Sequence, residues 1–87
     1  MLEKVDKRLL AVYTTFILVV MNKLKERLRY VLKVKQISQK ELARKIGMSQ
    51  GVVNNYCTGK REPTLDVLIK ICKELGESAD YLLGLEN

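Results

Sequence analysis

The stretch SQKELARKIGMSQGVVNNYCTGKREP, residues 38–63, decides the fold of this chain. It contains two short segments separated by Gly47, each with apolar residues at helical spacing, and the second ends at Gly59. Ser38 and Glu41 stand in the S-x-x-E arrangement of a capping box, which satisfies two backbone donors at the start of a helix. The stretch therefore predicts two short helices joined by a tight turn and followed by a basic loop.

Helical patterns continue on both sides of this stretch. The N-cap residues and the glycines predict five helices, which run from Asn22 to near Gln36, from Ser38 to Gly47, from about Ser49 to Thr58, from Thr64 to Gly76, and from Ser78 to Gly84. The predicted core positions are Leu24, Leu28, Val31, Leu32, Leu42, Ala43, Ile46, Val53, Tyr56, Leu65, Leu68, Ile69, Cys72 and Leu75. The fold class expected is all-α, a compact five-helix domain over residues 22–87.

The charge of the 87-residue chain is unevenly distributed. The formal net charge is +6, but residues 22–61 hold eleven Lys or Arg and two Glu, whereas residues 62–87 hold two Lys and six acidic residues. A domain that is basic on one side suits a polyanionic partner. The chain has no His, and its two Cys are far apart, so the sequence favours neither acid–base catalysis nor a zinc site.

The helical pair and its flanks resemble the phage lambda repressor and Cro-like helix-turn-helix family. The resemblance rests on Gln39, the E-L-A segment at 41–43, Gly47, the Ser-Gln pair at 49–50, Tyr56 and the G-K-R-E-P run at 59–63, and it covers roughly residues 22–87. It implies a DNA-binding domain whose third helix enters the major groove, as in other helix-turn-helix proteins.

Amide and hydroxyl side chains on the third helix are the candidates for reading bases. A Gln amide can make two bonds to adenine, and the resemblance gives this role to Gln50. Asn54 and Asn55 are poor helix formers in mid-helix, which points to a role outside the helix. The full candidate set for base reading is Ser49, Gln50, Gly51, Asn54 and Asn55. The family usually has a longer side chain at the position of Gly51. The glycine either lets the helix backbone approach a base closely or means that a base contact has been lost.

Phosphate-binding candidates surround that helix. The resemblance implies that Gln39 touches a phosphate and braces Gln50. The positively charged and hydroxyl candidates are Lys40, Thr58, Lys60 and Arg61, with Lys35 as a further candidate. Their contacts would add affinity and salt dependence but little sequence information.

Residues 1–21 lie outside the family pattern and form an apolar extension. The segment VYTTFILVV, residues 12–20, has high strand propensity. We interpret it as a dimerisation arm, because pairing with the same strand of a second subunit satisfies its backbone groups. Two alternatives are a helix packed on a partner, and incidental residues upstream of a natural start at Met21. The apolar run near residues 9–21 is short of the ~20 residues needed to cross a bilayer.

The sequence favours a cytoplasmic transcriptional regulator, most simply a repressor that binds a palindromic operator on double-stranded DNA as a homodimer. Alternatives are an antitoxin or a restriction-modification controller built on the same module, and a protein-interaction adaptor that no longer binds DNA. We expect no enzymatic activity, no cofactor, no metal, no membrane partner and no small-molecule ligand, since the sequence lacks a phosphate loop and a nucleophile–base pair.

Overall fold

A computed structural model describes residues 23–86 of the chain. The helices are α1 (residues 23–35), α2 (Gln39–Ile46), α3 (Gln50–Thr58), α4 (Leu65–Leu75) and α5 (Ala79–Leu83). The prediction of an all-α, five-helix domain is confirmed for this range. The predicted extension at residues 1–21 and the predicted cap at Asn22 lie outside the described residues.

Each of the four N-caps predicted downstream of α1 is formed by a hydroxyl side chain. The side-chain oxygens of Ser38, Ser49, Thr64 and Ser78 accept backbone N–H groups three residues ahead at 3.0, 3.2, 3.3 and 3.0 Å. The predicted capping box is half formed within the described chain, because the carboxylate of Glu41 lies 3.7 Å from Lys45 Nζ rather than on the Ser38 backbone.

Glycines close α2, α3, α4 and α5, as predicted. The C-cap residue Gly47 has φ 73° and Gly59 has φ 80°, a left-handed conformation that glycine adopts without the penalty paid by a Cβ. These two glycines set where α2 turns into α3 and where the basic loop leaves α3.

One apolar core joins the five helices. Its buried members in the described range are Leu24, Leu28, Val31, Leu32, Leu42, Ala43, Ile46, Val53, Tyr56, Cys57, Val67, Leu68, Ile71, Leu75 and Leu82. The predicted core positions in α1, α2 and α3 are all confirmed. α2 lies centrally and packs against both α3 and α4, and α4 packs against α5.

The prediction for α4 is confirmed for Leu68 and Leu75, which are buried, and was wrong for two other positions. Leu65 and Ile69 were expected in the core but are 78% and 51% exposed, whereas Val67 and Ile71 are buried. Apolar residues occur on most sides of this helix, so helical spacing alone fits more than one face. Contact with α2 and α5 selects the face, and Leu65, in the first turn beside the Thr64 cap, is left in solvent.

Cations on α1 bind the carboxyl ends of other helices. Arg27 Nη1 donates to the Tyr81 carbonyl at 2.6 Å and its guanidinium lies 4.5 Å from the centre of the Tyr81 ring. Lys35 Nζ donates to the Leu75 carbonyl and lies 3.5 Å from the carboxylate of Glu77. These contacts place positive charge where α4 and α5 end, which is favourable to the helix dipoles. They also hold α1 against the ends of α4 and α5.

Candidate nucleic-acid interface

The turn between α2 and α3 is short and internally bonded. Met48 N donates to the Ala43 carbonyl at 2.8 Å, and Ser49 then caps α3. Tyr56 Oη donates to Met48 Sδ at 3.6 Å, which ties the turn to the buried side of α3. The turn therefore sets the angle between the two helices and with it the surface that α3 presents.

α3 presents an uncharged polar face, formed by Gln50, Gly51, Asn54 and Asn55. Gln50, Gly51 and Asn54 are exposed and Asn55 is partly buried. The opposite side of α3 carries Val53, Tyr56 and Cys57 into the core. Since successive residues are about 100° apart around a helix, the residues of the polar face lie in two adjacent rows and share one outward surface. Side chains of this kind can donate to and accept from base edges.

Gln39 connects the polar face of α3 to the start of α2. Its Oε1 accepts a hydrogen bond from Asn54 Nδ2 at 3.1 Å, across 15 residues of sequence. The resemblance implied that Gln39 braces Gln50, but the bond that the structure gives to Gln39 goes to Asn54, one turn further along α3. This bond fixes the orientation of the Asn54 amide.

Gly51 has open space around it. A Cβ built on Gly51 would meet nothing nearer than Ser49 Oγ, at 4.0 Å. The protein itself therefore does not require a glycine at this position, although glycine in mid-helix costs about 1 kcal/mol relative to alanine. Both explanations offered from the sequence, close approach of DNA and a lost contact, stay open.

The carboxyl end of α3 carries a rim of Thr58, Lys60 and Arg61. All three are exposed. The Asn55 carbonyl accepts from Thr58 Oγ1 at 3.3 Å and from Arg61 N at 3.2 Å, so the loop folds back on the helix. The rim is thus held beside the polar face, where cations can contact the phosphates that flank a groove.

A surface depression of about 510 Å³ lies on the amino side of the helix pair. Ser38, Lys40, Glu41, Arg44 and Gln50 are among the residues that line it. The depression brings a predicted phosphate-binding lysine next to the predicted base-reading Gln50. Arg44 of α2 also lines this depression.

The two thiols are poor candidates for chemistry at this surface. Burial raises the pKa of Cys57, and the charge of Arg29 partly offsets that effect. Burial also raises the pKa of Cys72, which a backbone hydrogen bond lowers in part. Both thiols are therefore mostly protonated near neutral pH, which lowers their nucleophilicity. The core position expected for Cys72 is confirmed only in part, because it lies partly buried at the edge of the core.

Sequence reasoning missed two features of this surface. One is the pairing of Gln39 with Asn54, and the other is the position of Lys25 of α1, which lies against Gly59 at the end of α3. No local pattern could have indicated either, because each contact joins residues that are distant in the chain. The helical spacing of α1 indicated only that Lys25 lies off the buried stripe.

The chain is similar in sequence to known proteins. The family described as Helix-turn-helix matches residues 28–82, and the chain belongs to it, as a member of the lambda repressor/Cro-like group. Two proteins of Bacillus subtilis (strain 168), both named as uncharacterized HTH-type transcriptional regulators, are similar over 62 residues. YobD is 33% identical, covering 71% of this chain and 55% of its own length. YqaE is 38% identical, covering 71% and 53%.

The chain spans about half the length of these curated relatives. No solved structure gives a significant match. Within residues 23–86, no helix is long and apolar enough to cross a membrane, and no cluster of three or more His, Cys, Asp or Glu side chains could hold a metal ion.

Proposed function

We propose that this protein is a sequence-specific DNA-binding regulator of transcription, a cytoplasmic repressor that binds a palindromic operator as a homodimer. The observation that supports this most directly is the polar face of α3. It is uncharged and largely exposed. Lys40 lines the same depression as Gln50, and the loop that carries Lys60 and Arg61 is bonded to the Asn55 carbonyl. A helix that reads bases needs this arrangement, with amides toward the groove and cations toward the phosphates.

In this proposal the polar face reads bases and the surrounding residues hold the backbone. Gln50, supported by Ser49, Asn54 and Asn55, reads base edges, and Gly51 gives the helix room to approach. Gln39, Lys40, Thr58, Lys60 and Arg61 hold phosphates. Two copies would place their α3 helices in successive major grooves about 34 Å apart, which is why a palindromic site is expected. The relatives' description as transcriptional regulators supports the same function.

Selection of bound oligonucleotides from a random pool tests the proposal. We expect one enriched sequence with twofold symmetry, bound with an affinity that falls steeply as salt rises. Sedimentation of the complex should show two protein chains on each duplex. Weak binding that is equal for every sequence would contradict the proposal and favour an interaction adaptor. An enriched site without symmetry, occupied by one chain, would contradict the dimer alone.

A further inference from the structure

The end of α3 has no charged side chain of its own. The helix QGVVNNYCT contains no basic residue in its last turn, whereas α2 ends with Arg44 and Lys45 and α4 has Lys73 in its last turn. The carboxyl end of a helix carries a partial negative charge, and a cation nearby is favourable. At the carboxyl end of α3 a positive charge is supplied by another helix: the side chain of Lys25, on α1, extends to Gly59.

The stem of Lys25 lies directly over the C-cap glycine. A Cβ built on Gly59 would lie 2.8 Å from Lys25 Cδ and 3.6 Å from its Nζ. The absence of a side chain on Gly59 is therefore what makes room for the lysine. Lys25 is partly buried, as expected for a lysine whose apolar stem lies along the protein surface while its ammonium group stays in water, where it can meet a ligand.

Lys25 joins the rim that follows α3. Thr58 precedes Gly59, and Lys60 and Arg61 come directly after it, in the loop that the Asn55 carbonyl holds against the helix. A helix end corresponds to roughly half a negative charge, so three cations exceed what the α3 dipole needs. Glu62 is the acidic residue of the loop. The surplus positive charge at this corner suits an anion from outside the protein.

We propose that Lys25 binds a DNA phosphate, so that α1 contributes to the interface beside Thr58, Lys60 and Arg61. This inference rests on the proposed function of DNA binding. The ammonium group acts as a point charge on the phosphodiester and displaces a counterion from the duplex. Gly59 has a second role under this proposal, since it both ends α3 and leaves room for the Lys25 stem.

The salt dependence of DNA binding tests the role of Lys25. The selected duplex is titrated with the whole protein from ~50 to ~200 mM salt, and the slope of log K against log salt is compared between variants. Lys25→Met keeps an unbranched stem over Gly59 and removes the charge, so the slope should become shallower by about 0.9. Lys25→Arg keeps the charge and should retain the slope. Affinity for random duplexes should fall by the same factor as affinity for the selected site.

A matched control separates a phosphate contact from general charge loss. Lys70 is exposed on α4, outside the helix-turn-helix. Lys70→Met removes the same charge and should leave the slope unchanged. If Lys25→Met shows the same salt slope as Lys70→Met, the inference is overturned. If Lys25→Met also has a lowered melting temperature, Lys25 serves only to stabilise the end of α3. If Lys25→Met does not fold, Lys25→Gln is compared in the same way. Failure of the proposed function is distinct, because the unaltered protein would then select no duplex.

Discussion

Asn54 of α3 donates a hydrogen bond from its side-chain nitrogen to the side-chain oxygen of Gln39 at the start of α2, 3.1 Å away. The bond joins the two helices at the edge of the surface that faces outward. Asn54 is a predicted base-reading residue and Gln39 a predicted phosphate-binding residue, so the bond ties the orientation of one side chain to that of the other. A phosphate contact by Gln39 would thereby orient the amide of Asn54, and the two residues should act as a unit.

Replacement of both residues should reveal that coupling. In a double-mutant cycle on DNA affinity, Gln39→Ala and Asn54→Ala should be non-additive by on the order of 0.5–1.5 kcal/mol, the net worth of one hydrogen bond. Gel-shift titration of the four proteins measures the cycle. Gln39→Ala combined with Lys60→Ala is the control and should be additive. Additive losses from the first pair would show that the bond has no part in binding.

Gln50→Ala should reduce affinity for the selected site by about 1–3 kcal/mol and relax the preference at one base position. The reason is that a bidentate amide discriminates between bases. Repeating the oligonucleotide selection with the variant measures both effects. Lys60→Ala is the comparison and should weaken binding to all duplexes alike. The same uniform loss in Gln50→Ala would mean that Gln50 contacts the DNA backbone and not a base.

Gly51→Ala should stabilise the protein by roughly 0.5–1 kcal/mol, because alanine is the better helix former and the added methyl group meets no neighbour. Urea unfolding measures the change. Gly47→Ala, at φ 73°, is the opposite control and should destabilise. If the stabilised Gly51 variant loses DNA affinity, glycine is there to let the duplex approach closely. If its affinity is unchanged, glycine marks only a base contact that this chain has lost.

Leu68→Ala should destabilise the domain by about 2–5 kcal/mol, whereas Leu65→Ala should cost less than about 0.5 kcal/mol. The two leucines differ in exposure, 7% against 78%. Thermal unfolding at low protein concentration compares them without a contribution from association. Equal losses of stability in the two variants would mean that Leu65 is buried as well as Leu68, as the helical spacing of α4 predicted.

The thiol of Cys57 should resist alkylation in the folded protein. Burial raises its pKa above the ordinary 9.0, so folding favours the protonated form. The stabilisation from this preference is complete well below the pKa of the unfolded thiol and is lost as the pH rises through the folded pKa. Mass spectrometry after iodoacetamide treatment near pH 8 should find Cys72 modified first and Cys57 modified only in denaturant. Modification of native Cys57 at the rate of Cys72 would contradict its burial.

Much of the fold could be predicted because its signals are local. A hydroxyl such as that of Ser38 caps a backbone N–H three residues ahead, and Gly47 needs only its own left-handed conformation to end a helix. The apolar stripe of α1 likewise lies on one side only, so its buried face was not ambiguous. The candidate residues of the polar face were found for the same reason, since they share one helix with a clear buried side.

The amino-acid sequence by itself therefore determined the helices, their ends and the polar side of α3, because those features depend on neighbours within a turn or two. The tertiary structure decided which face of α4 is buried, that Asn54 bonds to Gln39, and that Lys25 lies over Gly59. Each of these depends on how separate helices pack, and packing chooses among faces and partners that the local pattern leaves equivalent.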